Sequence, residues 1–159
     1  MKVQQRLFKR RRQEFKTNYH KRLRLLTGNF LRLVVRKSNR YLLLQLVESK
    51  QAQDRVIFSV TTKELLDFGW PKEKSGSLKN IAAGYLGGLL LGTKARSIKK
   101  PIILDSGLIT STKGSRVYSV VKGIIDSGLK IPHSEEILPP LEKIKKDQFF
   151  DKVKEEIIK

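Results

Sequence analysis

Lysine and arginine are concentrated at the beginning of this sequence. The first forty residues contain 14 of them and a single acid, Glu14, so +13 of the formal net charge of +19 lies on a quarter of the chain. Cations at this density resist collapse on themselves and attract a phosphate backbone. Each Lys or Arg that meets a phosphate displaces condensed counterions, so log K should fall by about 0.7 to 0.9 per contact for each unit of log salt. The pattern predicts a polyanion-binding arm, with a merely solvated basic tail as the alternative.

Two other short stretches bring cations to positions that suit a phosphate. Residues 112–116 (Thr-Lys-Gly-Ser-Arg) stand at the start of a predicted helix, where free N–H groups and the helix dipole attract anions. Residues 37–40 (Lys-Ser-Asn-Arg) form the tip of a predicted hairpin. Ordinary helix capping and an exposed polar turn are the respective alternatives. Three basic surfaces on one small domain indicate a broad, folded polyanion.

Aromatic side chains lie among the cations of the arm. Phe15 and Tyr19 are placed to stack on unpaired bases, as in proteins that read single-stranded RNA. For Tyr19, a place on the inward face of a helix is an equally good explanation.

Signals of catalysis are weak. Asp105, Asp126 and the acids at 135–136 are the carboxylates that a magnesium-dependent nuclease would need, but isolated acids at loop and cap positions are far commoner. His133 stands beside Ser134 and Glu135, but the sequence alone does not indicate that these residues form a catalytic triad. The sequence has no cysteine and two histidines, so disulfides are excluded and a zinc centre is not expected. We therefore expect no enzymatic activity and no cofactor.

The N-terminal elements follow from charge and hydrophobic spacing. The four cations of residues 9–12 repel one another and bury nothing, so we expect them to stay mobile until a partner neutralises them. A helix capped by Thr17 or Asn18 should follow and end at Gly28. Its inward face is predicted from the i, i+4, i+7 spacing of Tyr19, Leu23 and Leu26. Residues 1–19 contain no apolar signal-peptide core, so a cytoplasmic protein is expected.

Alternating and continuous apolar runs predict the strands. Residues 31–36 alternate as a strand with one buried face, and residues 41–47 are apolar on both faces, which favours a sheet between helices. The turn residues 37–40 join the two strands as an antiparallel hairpin. Residues 56–60 and the buried run 101–104 add two more strands.

The remaining elements are mostly helical. Thr61 and Glu64 form a capping box for a short helix that Gly69 ends, after which Trp70 should pack the corner. A helix over 78–95 carries glycines at 84, 88 and 92 that allow close approach, and its uncharged part is shorter than the ~20 residues of a membrane span. A second helix over 113–127 ends at Gly128.

The C-terminal part should close the fold. Residues 132–140 are predicted to be ordered but non-helical, and a stripe of Phe149 or Phe150, Val153 and Ile157 predicts a terminal helix that docks on a partner. The fold class is α/β, a mixed β-sheet flanked by helices, with a basic N-terminal arm and a C-terminal helix. The expected organisation is an RNA-binding arm and helix (1–28), an α/β core (29–139) and a helical extension (140–159).

Several stretches resemble one known family. Residues 32–39, 83–92 and 112–117, together with 122–139, are similar to the 5S-rRNA-binding protein of the large ribosomal subunit, the eighteenth of the universal series, in its archaeal form. The similarity covers residues 9–139. Residues 141–159 depart from it, because they exceed the short archaeal tail.

The resemblance implies function as well as fold. It implies a structural, non-catalytic constituent of the large subunit that binds 5S rRNA and helps attach it to the large rRNA in the central protuberance, beside neighbouring large-subunit proteins. It implies no membrane association and no small-molecule substrate, and it implies that the protein is bound to ribosomes in the cytoplasm. The alternative is a general nucleic-acid-binding or RNA-chaperone protein. Taken together, the candidate RNA-binding residues are Lys9, Arg10, Arg11, Arg12, Lys16, Tyr19, Lys21, Arg22, Arg24, Arg36, Lys37, Ser38, Asn39, Arg40, Lys113, Ser115 and Arg116.

Overall fold

A four-stranded mixed sheet forms the centre of the fold. The computed structural model describes residues 7–51, 53–145 and 147–159, so the first six residues of the predicted arm lie outside it. The strands are β1 (Leu31–Lys37), β2 (Leu42–Lys50), β3 (Gln53–Thr61) and β4 (Ile102–Asp105), in the spatial order β3-β2-β1-β4. β2 is antiparallel to β1 and β3, whereas β4 is parallel to β1. The predicted mixed sheet and hairpin are confirmed.

One face of the sheet carries the main core. Leu33 and Val35 of β1 pair with Leu46 and Leu44 of β2, and all four are fully buried. Because alternate residues of a strand share a face, these side chains form one continuous apolar surface. Burying each contributes about 1.5 to 3 kcal/mol.

Two helices cover this face at very short distance from each other. They are α3 (Ile81–Lys94) and α4 (Arg116–Asp126). A β-carbon at Gly88 would lie 2.2 Å from the Val120 carbonyl oxygen, and one at Gly123 would lie 2.1 Å from the Tyr85 carbonyl oxygen. Glycine is therefore required where the two backbones meet, as the glycine spacing of α3 predicts. Among the described residues, no helix has both the length and the apolar character to cross a membrane.

The capping box after β3 is confirmed, but the helix that it opens is shorter than predicted. The Thr61 amide donates to Glu64 Oε1 at 2.8 Å, and the helix is a 3₁₀ turn over Thr62–Leu66. The chain then turns through Gly69, whose φ is +91°. Trp70 packs this corner as predicted, with its ring edge-on to Phe149 at 4.7 Å between centroids.

The C-terminal helices complete the core of the same chain. They are α5 (Leu141–Ile144) and α6 (Phe150–Ile158). The predicted stripe of α6 is present, but Phe150, Val153 and Ile157 are 0–6% exposed against the body of the protein and are not left for a partner. The reason lies in α3, which is buried along most of its length and so needs apolar cover beyond the sheet and α4. The Tyr85 and Phe150 rings lie 5.5 Å apart in this contact.

The segment before these helices is ordered as expected, but it is not free of helix. A 3₁₀ turn spans Glu135–Ile137 within the stretch predicted to be non-helical. Proline restricts its preceding neighbour rather than residues further along the chain, so a single turn fits between the prolines.

The described part of the N-terminal segment, from residue 7 onward, contains two helices, α1 (Arg10–Gln13) and α2 (Tyr19–Thr27). The structure gives Arg10–Gln13 one helical turn, while the expectation that residues 9–12 are mobile until a partner neutralises them stays a prediction. Glu14 neutralises part of the charge of this turn, with carboxylate contacts of 3.6 Å to Arg10 and 2.8 Å to Lys16. The cap of α2 is Asn18, whose side chain accepts from the Lys21 amide at 3.1 Å, and the helix ends before Gly28 as predicted.

The inward face of α2 agrees with the predicted one at Tyr19 and Leu26, which are partly buried, but not at Leu23. Leu23 is 64% exposed, while Arg22, Leu25 and Leu26 are partly buried. Polar contacts of Lys21 and Arg22, described below, hold the helix in this rotation.

Candidate nucleic-acid interface

A cationic cleft of about 440 Å³ lies between the N-terminal segment and the end of β1. Asp105 is the only acid among its described lining residues. Three parts of the chain meet here: the arm with α2, the end of β1, and the loop after β4. The cations that line it are Arg11, Lys16, Lys21, Arg22, Arg36 and Lys37.

Backbone and hydroxyl oxygens of the loop after β4 anchor α2. Lys21 Nζ donates to Ser106 Oγ at 3.2 Å and to the Gly107 carbonyl oxygen at 3.1 Å. Gly107 has a φ of +62°, and a β-carbon there would lie 3.1 Å from the Arg36 guanidinium carbon. A glycine at this position therefore lets the loop and Arg36 approach each other.

Asp105 is the centre of the hydrogen bonds below the cleft. Its Oδ1 accepts from the Gly107 amide at 2.9 Å and from Arg36 Nη2 at 3.3 Å, and its carbonyl oxygen accepts from Arg36 Nη1 at 2.9 Å. Its Oδ2 accepts from Arg32 Nη1 at 3.0 Å. The Asp105 side chain is 8% exposed, and both of its carboxylate oxygens accept hydrogen bonds from within the protein.

Asp126, the second acid considered as a metal ligand, also accepts a hydrogen bond from a neighbouring side chain. Asp126 accepts from the Tyr85 hydroxyl at 2.6 Å, and burial together with this hydrogen bond raises the pKa of Tyr85. Within residues 7–51, 53–145 and 147–159, no group of three carboxylate or imidazole side chains is placed to hold a metal ion.

Arg32 is a site residue that sequence reasoning missed. It lies on the β1 face expected to be open, yet it is 2% exposed, and Val34 on the same face is also buried. Its guanidinium contacts Asp105, Asp54 Oδ1 at 2.7 Å and Ser49 Oγ at 2.9 Å. The prediction of a single buried face for β1 is therefore wrong. Arg32 and Asp105 are 73 residues apart, so no local pattern could have paired them.

Asp54 connects the buried arginine to α2. Its Oδ2 accepts from Arg22 Nη2 at 3.0 Å, and its Oδ1 accepts from Ser49 Oγ at 2.5 Å. Burial acts to raise the pKa of Asp54, but the hydrogen bonds from Ser49 and Arg32 outweigh it and leave that pKa below its ordinary value of 3.8. The carboxylate is therefore ionised at neutral pH.

The other cations that the structure describes in the arm lie outside the cleft and are exposed. Lys9 Nζ is 4.8 Å from the centroid of the Tyr19 ring, and the Arg12 guanidinium is 4.2 Å from that of Phe8. Phe15 is 86% exposed, and Arg24 on α2 is exposed as well. These groups form a mixed basic and aromatic surface next to the cleft.

The hairpin tip adjoins the cleft through Lys37. Ser38 closes the turn, because its amide donates to the Tyr41 carbonyl at 2.9 Å and its Oγ accepts from the Tyr41 amide at 3.0 Å. The Asn39 carbonyl accepts from Lys79 Nζ at 2.7 Å, and Arg40 is exposed. Lys37 and Arg40 thus present their charge to solvent, while the hydrogen bonds of Ser38 stabilise the turn.

The start of α4 differs from its prediction and stands apart from the cleft. The helix begins at Arg116 rather than at Lys113, since Gly114 adopts a left-handed turn with φ +66°. The Gly114 amide donates to the Ile137 carbonyl at 2.9 Å and is occupied. Lys113 Nζ lies 3.2 Å from Glu136, Arg116 is exposed, and the N-cap Ser115 makes no side-chain capping bond.

Comparison with known proteins gives consistent matches over most of the chain. Residues 3–101 and 95–134 match the family model described as ribosomal large subunit proteins 60S L5 and 50S L18. The chain is 43% identical over 151 residues to the large ribosomal subunit protein uL18 of Korarchaeum cryptofilum, which covers 92% of this chain and 75% of that protein. It is 42% identical over 137 residues to the uL18 protein of Methanospirillum hungatei, covering 86% of this chain and 76% of that protein.

Proposed function

Because the chain belongs to the family of ribosomal large subunit proteins 60S L5 and 50S L18, we propose that it binds 5S rRNA and helps attach it to the large rRNA in the central protuberance. This family is one of ribosomal structural proteins and not of enzymes. Neighbouring large-subunit proteins are the other proposed partners, on cytoplasmic ribosomes.

The convergence of cations on one cleft is the observation that carries the proposal. Side chains far apart in sequence, such as Arg11, Lys21 and Arg36, line the same concave surface. Lysine and arginine brought together in this way bind phosphates by charge, and the fixed shape of the surface favours a folded RNA over an extended one.

Each part of the chain has a role in this proposal. Residues 1–28 serve as the RNA-binding arm, 29–139 as the scaffold and 140–159 as cover for α3. The exposed cations of the arm, the hairpin tip and the start of α4 extend the contact beyond the cleft.

Selectivity for 5S rRNA is the decisive test. Filter binding at near-physiological salt should show about tenfold or greater preference for 5S rRNA over transfer RNA, because charge alone treats the two alike and only shape separates them. Duplex DNA of equal length is the control for binding by charge. Equal affinities for the three polymers would favour a general nucleic-acid-binding or RNA-chaperone protein instead.

A further inference from the structure

Three arginines and two aspartates form one connected group below the cleft. Arg32 contacts both carboxylates, Asp105 at 3.0 Å and Asp54 at 2.7 Å. Arg22 contacts Asp54 at 3.0 Å, and Arg36 contacts Asp105 at 3.3 Å. We call these five residues the arginine–aspartate cluster.

The members of the cluster differ in their access to solvent. The side chains of Arg32 and Asp105 are 3% and 8% exposed, whereas those of Arg22 and Arg36 are 41% and 43% exposed. Arg32 therefore cannot reach an RNA phosphate, but the two outer arginines can. The buried arginine neutralises the carboxylates that orient them.

One of these carboxylates, Asp105, also fixes Lys21. Asp105 holds the amide of Gly107 at 2.9 Å, and the carbonyl of that glycine accepts from Lys21 Nζ at 3.1 Å. Three cations of the cleft thus depend on two aspartates, and both aspartates depend on Arg32.

Stability alone does not account for this arrangement. A buried ion pair loses much of its attraction to desolvation, and well-packed apolar residues are often as stable. In addition, Arg32 Nε is buried and has no hydrogen-bond partner among the residues that the structure describes. A role in placing the outer cations explains why charged groups stand at this position in a strand.

We propose that Arg32, Asp54 and Asp105 are positioning residues, which hold Lys21, Arg22 and Arg36 at fixed separations for neighbouring phosphates of one folded RNA. The inference rests on the proposed function and adds to it the residues that order the interface. Cations ordered in advance lose less side-chain entropy on binding, so they bind more tightly than the same charges on mobile side chains.

The sign of one substitution separates positioning from simple charge. Asp105→Asn removes a negative charge from a cationic cleft, so attraction alone predicts tighter binding of RNA. Positioning predicts weaker binding, since the amide holds Arg32, Arg36 and the Gly107 loop less well. We expect the affinity for 5S rRNA, measured by filter binding with the full chain, to fall by about fivefold or more.

Two matched controls accompany this variant. Glu136→Gln makes the same charge change at a side chain that is 79% exposed and lies 3.2 Å from Lys113 Nζ, so binding should be unchanged or tighter. Val60→Ala removes buried volume from the opposite face of the sheet and reports the effect of lost stability alone. Equal weakening by either control would overturn the inference.

A double-mutant cycle tests the connection directly. In the Arg36→Ala background, Asp105→Asn should weaken binding by a smaller factor than in the wild type, because part of its effect acts through Arg36. Equal factors in both backgrounds would contradict the inference, as would tighter or unchanged binding by Asp105→Asn. If Asp105→Asn does not fold, Asp54→Asn, with its side chain 35% exposed, replaces it with the same expected sign and with Arg22→Ala as the background of its cycle.

The two proposals fail in different ways. Wild-type protein that binds 5S rRNA and transfer RNA equally would overturn the proposed function, while the variants can still be compared on either RNA. Wild-type selectivity with no loss in the aspartate variants would overturn the positioning role alone.

Discussion

Gly123 is one of the positions where the backbones of α3 and α4 meet closely. Any β-carbon there would lie 2.1 Å from the Tyr85 carbonyl oxygen and 2.8 Å from the Leu89 amide nitrogen, and both of these are backbone atoms that cannot rotate away. The close contact between the helices at this point therefore depends on the absence of a side chain at Gly123, as it does at Gly88.

Gly123→Ala should lower the free energy of unfolding by about 2 kcal/mol or more, because the helices must separate and repack. The intrinsic gain of alanine in a helix, about 1 kcal/mol, is too small to compensate. Urea denaturation measures the change. Gly76→Ala is the control, since a β-carbon at that position has no described atom within 4 Å. Equal effects of the two substitutions would contradict the close approach.

At the scale of single residues, the sequence predicts side chains with local partners better than those with distant ones. Asn18 and Glu64 cap within three residues of their own position, so the sequence predicts the capping box of Glu64 and limits the cap of α2 to Thr17 or Asn18. Arg32 finds its partners 17 and 73 residues away, and nothing around it in the sequence indicates burial. Its place within an alternating strand even suggested an open face.

At the scale of helices and strands, hydrophobic periodicity predicts most of the elements but not all of their ends. All four strands and the helices α2, α3, α4 and α6 were predicted from spacing and from glycine or capping signals. The sequence predicts a start of α4 near residue 113, which is too early, because the left-handed backbone of Gly114 excludes residues 113 and 114 from the helix. The candidate site shows the same limit of local patterns. The sequence identifies the cations that line the cleft, but it does not predict that they lie together in one cleft.

The helix α6 offers a test of where its apolar stripe is used. Ile157 is 6% exposed and its neighbour Ile158 is 49% exposed, so the same substitution at each compares the two faces. Ile157→Ala should cost about 2 to 3 kcal/mol of stability, and Ile158→Ala should cost less than about 0.5 kcal/mol. Thermal unfolding followed by circular dichroism measures both. Equal small effects would mean that α6 is not part of the core.

Charge on the scale of the whole molecule is strongly polarised. The first forty residues hold most of the +19 net charge, yet α1 and α2 contribute no fully buried residue to the core. The body can therefore lose charge from the arm without losing its fold.

Replacing Arg10, Arg11 and Arg12 together by alanine should flatten the salt dependence of RNA binding. If all three meet phosphates, the slope of log K against log salt should fall by about 2 in magnitude, while the far-UV circular dichroism spectrum persists. The control removes three exposed cations from the C-terminal part, Lys143, Lys145 and Lys152, and should change the slope less. An unchanged slope after the arginine substitutions would show that the arm makes no contact.

The burial of α3 by α6 also orders events during synthesis. The chain leaves the translating ribosome from its N-terminus, so α3 emerges well before the helix that covers Tyr85. Until α6 follows, an apolar surface of the nascent chain is open to water and to other chains. A chaperone that recognises exposed apolar segments would therefore engage the growing polypeptide in this interval, after its cationic arm is already accessible.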